Sequence, residues 1–459
     1  MDRAGRAVAW RVRRVLGGTY GRRIVVLCGP GNNGGDGRIA AAALRSWGAR
    51  VDVVDLSEPV TDGTRRAIAR ADAVVDAMFG TGLRDALSGP AAGLTELINR
   101  ESGPTVIAVD IPSGVDGLTG ETHGCAVRAD HTVTFAALKP GLWFHPGRAH
   151  AGTVTVADVG IDLDVAAART GVTEGSDVAR WVPARAPTTH KWRAAVLVVG
   201  GSDGMTGAPM LAAHAAMRLG AGIVWAALPG RAAERASGTE VITRALPDSE
   251  TGRLTLDGAV AAAQMLAGDN ARFGAVVLGP GLGRAPDTMH AVRALVTAAP
   301  VPLVLDADGI GALAGAFDVL RARPAPTILT PHDGEYTQLT GSPPGVDRID
   351  AARTLARDAD AVVLLKGPTT VVAAPDGRVA LNPTGGPALA TAGSGDVLSG
   401  MIAAFAAFGM NPFEAGAAAA LVHGRAAQPG GHTGLIAGDL PVAAAAALRA
   451  IIDHPAQEA

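Results

Sequence analysis

Two stretches of the chain gather oxygen-bearing side chains beside bare backbone. The first is GPGNNGGDG, Gly29 to Gly37, which follows the apolar run Ile24 to Leu27 and leads into an alanine-rich stretch read as a helix from about Arg38. A glycine turn between strand and helix presents backbone amides on which an anion can rest. Glycine serves a plain tight turn equally well, but Asn32, Asn33 and Asp36 add oxygens suited to a cation and a sugar hydroxyl. The turn does not end in the GK[ST] of a P-loop. Two further segments, DAMFGTGL from Asp76 to Leu83 and DIPSG from Asp110 to Gly114, follow apolar runs in the same way. In an open parallel sheet the strand C-termini converge on one crevice, so Asn33, Asp76, Asp110 and Ser113 are expected to meet there. A set made only of oxygen favours an alkali or alkaline-earth ion over zinc. Asp76 and Asp110 also fit the simpler part of caps on the helices that follow.

The second stretch is NPTGGPALATAGSGDVLSG, Asn382 to Gly400, where the turn Gly393-Ser394-Gly395 comes just before Asp396 and an apolar helix. Amides there can hold a transferring phosphoryl group, and the carboxylate can take a proton from an attacking hydroxyl. A loop with an N-cap aspartate is the plainer alternative. Lysine is scarce: Lys139, Lys191 and Lys366 are the only three. Lys366 follows the run Val362 to Leu365 and leads into Gly367, Pro368, Thr369 and Thr370, whose amides and hydroxyls suit a phosphate.

These residues need a scaffold of strands and helices. Short β-branched runs at Ile24 to Leu27, Val51 to Asp55, Ala73 to Ala77, Val106 to Val109 and Val133 to Phe135 alternate with helical stretches, the pattern of a parallel sheet covered by helices. A polar segment from about Asp162 to Pro187 reads as a linker. A second alternating series follows through Ala195 to Val199, Ile223 to Ala227, Ala275 to Leu278, Leu303 to Leu305, Thr327 to Leu329 and Val362 to Leu365. We therefore expect two three-layer α/β/α domains over 1–165 and 187–459, joined by a linker over 166–186.

The chain has 459 residues, 48 % hydrophobic and 18 % charged, a globular composition large enough for two cores. Its formal charge of −3 is spread without long runs of one sign, so neither nucleic acid nor a membrane surface is an expected partner. No apolar run reaches the roughly 20 residues that span a bilayer, and no secretory signal follows the arginines near the start. Two cysteines, Cys28 and Cys125, are too few for a disulfide scaffold and are expected to be buried thiols in a cytoplasmic protein.

The first set of motifs, with TVTFAALKPGL around Lys139, resembles the NAD(P)H-hydrate epimerase domain in identity, order and spacing over about Met1 to Gly160. The resemblance implies a Rossmann-like domain that interconverts the R and S hydrates, with potassium at Asn33, Asp76 and Ser113. It places substrate contacts at Asn32, Asn33, Gly34, Gly35 and Asp36, at Gly80, Thr81, Gly82, Leu83, Arg84, Asp85 and Ala86, and at Asp110. That family usually carries a helix ahead of a segment like MDRAGRAVA, so the chain is expected to begin inside this region. Epimerisation at a hydroxylated carbon beside nitrogen, by loss of water or by ring opening, needs proton transfer at oxygen. Asp110 is the expected catalytic group.

The second set resembles the NAD(P)H-hydrate dehydratase branch of ribokinase-like folds over about Thr188 to Leu440. HKW at His190, GGSDGMTGAPML at Gly200, GPGLG at Gly279, DADG at Asp306, TPHDGE at Thr330 and LLKGPTT at Leu364 stand in the family's order. Gly386 and Ala392 depart from its usual Asn and Gly. The resemblance implies hydrate contacts at Ala208, Gly281, His332 and Asp396. It implies nucleotide contacts at Lys366, Gly367, Pro368, Thr369, Thr370 and Gly395. ADP is the expected co-substrate, with Mg2+ as phosphate counter-ion and Asp396 as base. The product pair is AMP and phosphate, and the chain is expected to be a homo-oligomer. The GSGD turn alone also fits a small-alcohol kinase of ribokinase-like fold whose N-terminal domain is a non-catalytic binding module.

Overall fold

A computed structural model describes residues 1–236, 240–267, 272–428 and 433–454. The chain forms two compact units, Met1–Ala167 and Ala168–Ala459. The first holds β1 (Arg23–Cys28), β2 (Arg50–Asp55), β3 (Ala73–Ala77), β4 (Thr105–Val109), β5 (His131–Phe135) and β6 (Thr153–Ala157). They pair in parallel in the order β2-β1-β3-β4-β5-β6. Alternation along β1 sends Ile24, Val26 and Cys28 to one face, where helices Asp2–Val15 and Asn32–Ser46 cover them. Val25 and Leu27 go to the other, against Ile68, Leu94 and Ile98 of helices Asp62–Ala69 and Gly89–Arg100. Each such buried aliphatic side chain contributes about 1.5–3 kcal/mol. Because the chain turns one way from β1 to β2 and the other way to β3, a crevice opens at the C-terminal ends of β1 and β3.

The second unit holds β7 (Thr170–Val172), β8 (Ala195–Val199), β9 (Ile223–Pro229), β10 (Ile242–Leu246), β11 (Phe273–Leu278), β12 (Leu303–Leu305), β13 (Thr327–Leu329), β14 (Val362–Leu365), β15 (Thr370–Ala373) and β16 (Val379–Asn382). The order is β10-β9-β8-β11-β12-β13-β14-β15-β16-β7, with β15 antiparallel to both neighbours. Helices Gly207–Arg218, Ser394–Ala407, Pro412–Ala426 and Leu440–Asp453 bury one face in a single apolar cluster that includes Val196, Val198, Val362 and Leu364. Val363 and Leu365 turn the other way, where helix Arg348–Ala359 packs on β14 and β15. The reversal of order at β8 opens a crevice beside β11.

Both units are thus α/β folds built on largely parallel sheets. Three local expectations change. The helix after the first glycine motif starts at Asn32, not Arg38, because its glycines are packing sites within the first turns. The segment read as a linker carries β7 and helix Gly175–Trp181, and β7 pairs with β16, so it is built into the second unit. A three-residue strand and a seven-residue helix are too short to show a period. Cys28 is buried, but Cys125 is partly exposed.

Candidate active sites

In the first unit β1 runs into Gly29, where the crevice wall is closest. A Cβ at Gly29 would stand 1.8 Å from the Met78 carbonyl oxygen, and one at Gly34 would stand 1.9 Å from the Gly29 carbonyl. Only glycine lets this helix end reach the end of β3. Asn33 thereby lies beside Gly80, and its Nδ2 is buried without a hydrogen-bond partner. Asp36, one turn on, is also buried, with Oδ1 unpartnered. Burial pushes Asp36 up to about 6, opposed by the amino terminus and reinforced by Asp110.

Asp76, at the end of β3, is fully buried. Its carboxylate accepts from Ser113 N at 2.8 Å, Ser113 Oγ at 2.7 Å and Met78 N at 3.2 Å. Burial pushes it up to about 6 even against those donors. Neither Asp76 nor Asp110 caps a helix; each ties strand ends together. Ser113 Oγ also accepts from Phe79 N at 2.9 Å, so Asp76, Ser113 and the start of the Gly80–Ala86 loop form one hydrogen-bonded unit. Within that loop Leu83 packs on the apolar core that includes Leu87, whereas Thr81 lies against Gly117, three residues past the DIPSG segment.

Asp110 follows β4 with φ of 67°, a left-handed backbone that costs a non-glycine residue about 1–2 kcal/mol. Its Oδ1 accepts from Lys139 Nζ at 2.6 Å, Thr134 Oγ1 at 3.2 Å and Phe135 N at 3.2 Å. The motif around Lys139 assigns the lysine no role, and the scarcity of lysine is the sequence signal that singles it out.

In the second unit the ends of β12, β13 and β14 meet the start of helix Ser394–Ala407. Asp306 Oδ1 accepts from Thr330 Oγ1 at 2.7 Å and from Lys366 Nζ at 3.0 Å. The same ammonium lies 3.6 Å from Glu335 Oε2. Burial pulls Lys366 down, but Asp306 and Glu335 outweigh it and hold its pKa above the usual lysine value. Gly395 faces this pair: a Cβ there would stand 3.4 Å from Lys366 Nζ. Asp396 lies in the first turn of the helix, within the field of both. Burial pushes it up to about 7, with Asp306 adding and Lys366 opposing.

Gly281 and Ala208 are neighbours across the β8–β11 crevice, 3.6 Å apart for a Cβ built on the glycine, and Ser202 Oγ donates to the Gly281 carbonyl. His332 is placed differently from a free substrate ligand. Its Nδ1 accepts from Gly334 N at 3.0 Å and Glu335 N at 3.3 Å, capping helix Asp333–Thr340. Only Nε2 remains, 3.6 Å from Glu335 Oε1. The Lys366–Thr370 loop is held by Arg348, which pairs with Asp333 at 2.8 Å and donates to the Lys366 carbonyl at 2.8 Å. Asp306 and Glu335 stand inside the DADG and TPHDGE motifs, but only the fold reveals them as partners of Lys366. Arg348 gave no sequence signal.

Residues 196–446 match the family described as NAD(P)H-hydrate dehydratase, and residues 1–70 and 58–141 match the YjeF-related protein N-terminus. The bifunctional NAD(P)H-hydrate repair enzyme of Salinibacter ruber is 42 % identical over 479 residues, covering 94 % of this chain and 88 % of that one. The enzyme of the same name from Moorella thermoacetica is 39 % identical, covering 96 % and 90 %. The solved ADP/ATP-dependent NAD(P)H-hydrate dehydratase of Bacillus subtilis, co-crystallized with ATP/Mg2+, is 32 % identical with a TM-score of 0.51, over 60 % of this chain and 97 % of that chain. With both motif sets, both folds and relatives matched along nearly its whole length, the chain belongs to the family of bifunctional NAD(P)H-hydrate repair enzymes.

Proposed function

We infer that the chain repairs hydrated NADH and NADPH, the first unit interconverting the R and S hydrates and the second dehydrating the S form with ADP. The observation that carries this reading is that each half of the chain matches its half of the family and ends its strands in a carboxylate crevice.

In the second unit Asp396 takes the proton from the substrate hydroxyl as that oxygen attacks the terminal phosphorus of ADP and AMP leaves. Phosphate then departs with the carbon–oxygen bond pair, and a proton leaves the adjacent ring carbon for the departing phosphate or solvent, its bond pair forming the double bond of the reduced dinucleotide. A base whose pKa lies near 7 suits that step at neutral pH. The amides at Gly393–Gly395 and the loop from Lys366 to Thr370 are the proposed nucleotide contacts. Ala208, Gly281, His332 through Nε2, and Asp396 are the proposed hydrate contacts. Asp306, Glu335 and Asp396 gather three carboxylates around one ammonium, and that excess of negative charge fits Mg2+ arriving with the phosphates. When bound, the ion would neutralise phosphate charge.

In the first unit Asp110 is the proposed proton-transfer group. Asn33, Asp76 and Ser113 are the proposed potassium ligands. Asp76 is a fully buried carboxylate whose hydrogen bonds are all from neutral donors, a donor set that fits a monovalent cation. The rest of Asn32 to Asp36 and Gly80 to Ala86 would line the substrate.

The test follows recovery of reduced-nicotinamide absorbance from mixed R and S hydrate with ADP, ATP or no nucleotide. Complete recovery that needs ADP supports both activities. Recovery of about half points to a silent first unit, and a phosphorylated product that persists in solution points to a small-alcohol kinase instead.

A further inference from the structure

We propose that Lys139 is the positioning residue of the epimerase crevice, fixing Oδ1 of Asp110 so that Oδ2 alone meets the substrate hydroxyl. The inference rests on the epimerase reading of the first unit. Three donors converge on one oxygen of Asp110, namely Lys139 Nζ, Thr134 Oγ1 and Phe135 N, and no described residue donates to the other. A carboxylate held in this way cannot rotate to exchange its two oxygens without breaking all three bonds.

The lysine is itself tightly placed. Its Nζ also donates to the Phe135 carbonyl at 2.8 Å. The backbone turns back sharply after β5, with Ala136 at φ of 63° and Ala137 N donating to the Phe135 carbonyl. Two residues beyond Lys139, Gly141 N donates to the Gly117 carbonyl, and a Cβ at Gly141 would stand 2.0 Å from the Asp116 carbonyl oxygen. The loop that carries Asp110 and the segment that carries Lys139 are thus locked at both ends. Asp110 keeps its left-handed backbone only because its surroundings over-determine it, and the Oδ1 donors are part of those surroundings.

This arrangement assigns the chemistry to one atom. Oδ2 takes the hydroxyl proton as the ring carbon–nitrogen bond opens to an aldehyde, the bond pair staying on nitrogen. It returns the proton when nitrogen closes on the opposite face of the carbonyl. Over the cycle nothing is gained or lost by substrate or protein.

The experiment measures kcat and KM for conversion of the R hydrate, with dehydration of the S hydrate by the same chain as an internal control. Lys139→Met is expected to lower kcat at least about 30-fold with KM within about threefold, and ethylammonium in solution is expected to restore part of the rate to Lys139→Ala. An unchanged kcat, or a loss confined to KM, would overturn the proposal. If Lys139→Met does not fold, Thr134→Val removes a second donor to the same oxygen and is expected to lower kcat about threefold to tenfold at unchanged KM. An unchanged kcat there overturns the proposal as well. Wild-type protein that leaves the R hydrate untouched would instead overturn the epimerase reading on which it stands.

Discussion

Two of the chain's three lysines sit at strand-end crevices, one in each unit, and each pairs with an aspartate that follows a buried strand. Lys139 contacts Asp110, the carboxylate proposed to move the proton. Lys366 contacts Asp306 and approaches Glu335, while Asp396, proposed to do the chemistry, has no direct bond to it among the described residues. The same pair of residue types therefore does two jobs. In the first crevice the cation fixes the geometry of the working carboxylate. In the second it balances the neighbours, and burial with Asp306 leaves Asp396 titrating near neutral pH.

That contrast can be broken from either side. The largest effect is expected for Asp396→Asn: S-hydrate dehydration falls about 10³-fold, the scale of a lost general base, while conversion of R to S hydrate, followed by separating the two forms, continues. A variant that still dehydrates at the wild-type rate would remove Asp396 from the mechanism. Next comes Asp110→Asn, expected to slow R-hydrate conversion about 10²-fold. Its amide oxygen can keep the Lys139 and Phe135 bonds, so thermal melting should move little and the loss should appear in kcat.

The pH dependence sharpens the difference. Asp396 is raised, so it is protonated and idle below about 7 and becomes a competent base above it. Dehydration should therefore fall about tenfold per pH unit on the acid side. Asp306→Asn removes a charge that raises Asp396 and should move the midpoint of that profile to lower pH; a midpoint that stays would assign the limb to another group. The smallest effect is expected at Arg348. Arg348→Met unties the nucleotide loop from Asp333 and should raise KM for ADP about fivefold with kcat for bound substrate little changed, measured by initial rates at saturating hydrate.

Much of this was legible in the residues. The apolar runs from Ile24 to Leu365 marked the parallel strands, because a strand buried on both faces reads as a continuous hydrophobic stretch. The short β7 and the strands β10, β15 and β16 were not visible. Arg244 interrupts β10, β7 spans three residues, and β15 and β16 form a hairpin whose pairing depends on neighbours already in place. The helix begins earlier than the residues suggest because Asn32 to Gly37 has the composition of a loop, and only contact with the end of β3 makes those glycines helical. The motifs named Asp110, Asp396 and Lys366 correctly as residues at strand or helix ends. Which oxygen stays free, and which carboxylates share an ammonium, are long-range facts that no local spacing carries.

The placement of β7 also bears on how the second half of the protein is handled as an isolated piece. β7 pairs along β16 and supplies the outermost strand of the ten-stranded sheet. A fragment begun at the first dehydratase-like motif, near Thr188, would leave β16 with a row of unpaired backbone donors and acceptors facing solvent. Such an open edge invites strand-to-strand association with another copy. The stretch ahead of that motif therefore acts as a selvedge for the sheet: its three-residue strand leaves an edge too short to template another chain, and fragments of this half keep that short border only when they begin ahead of Thr170.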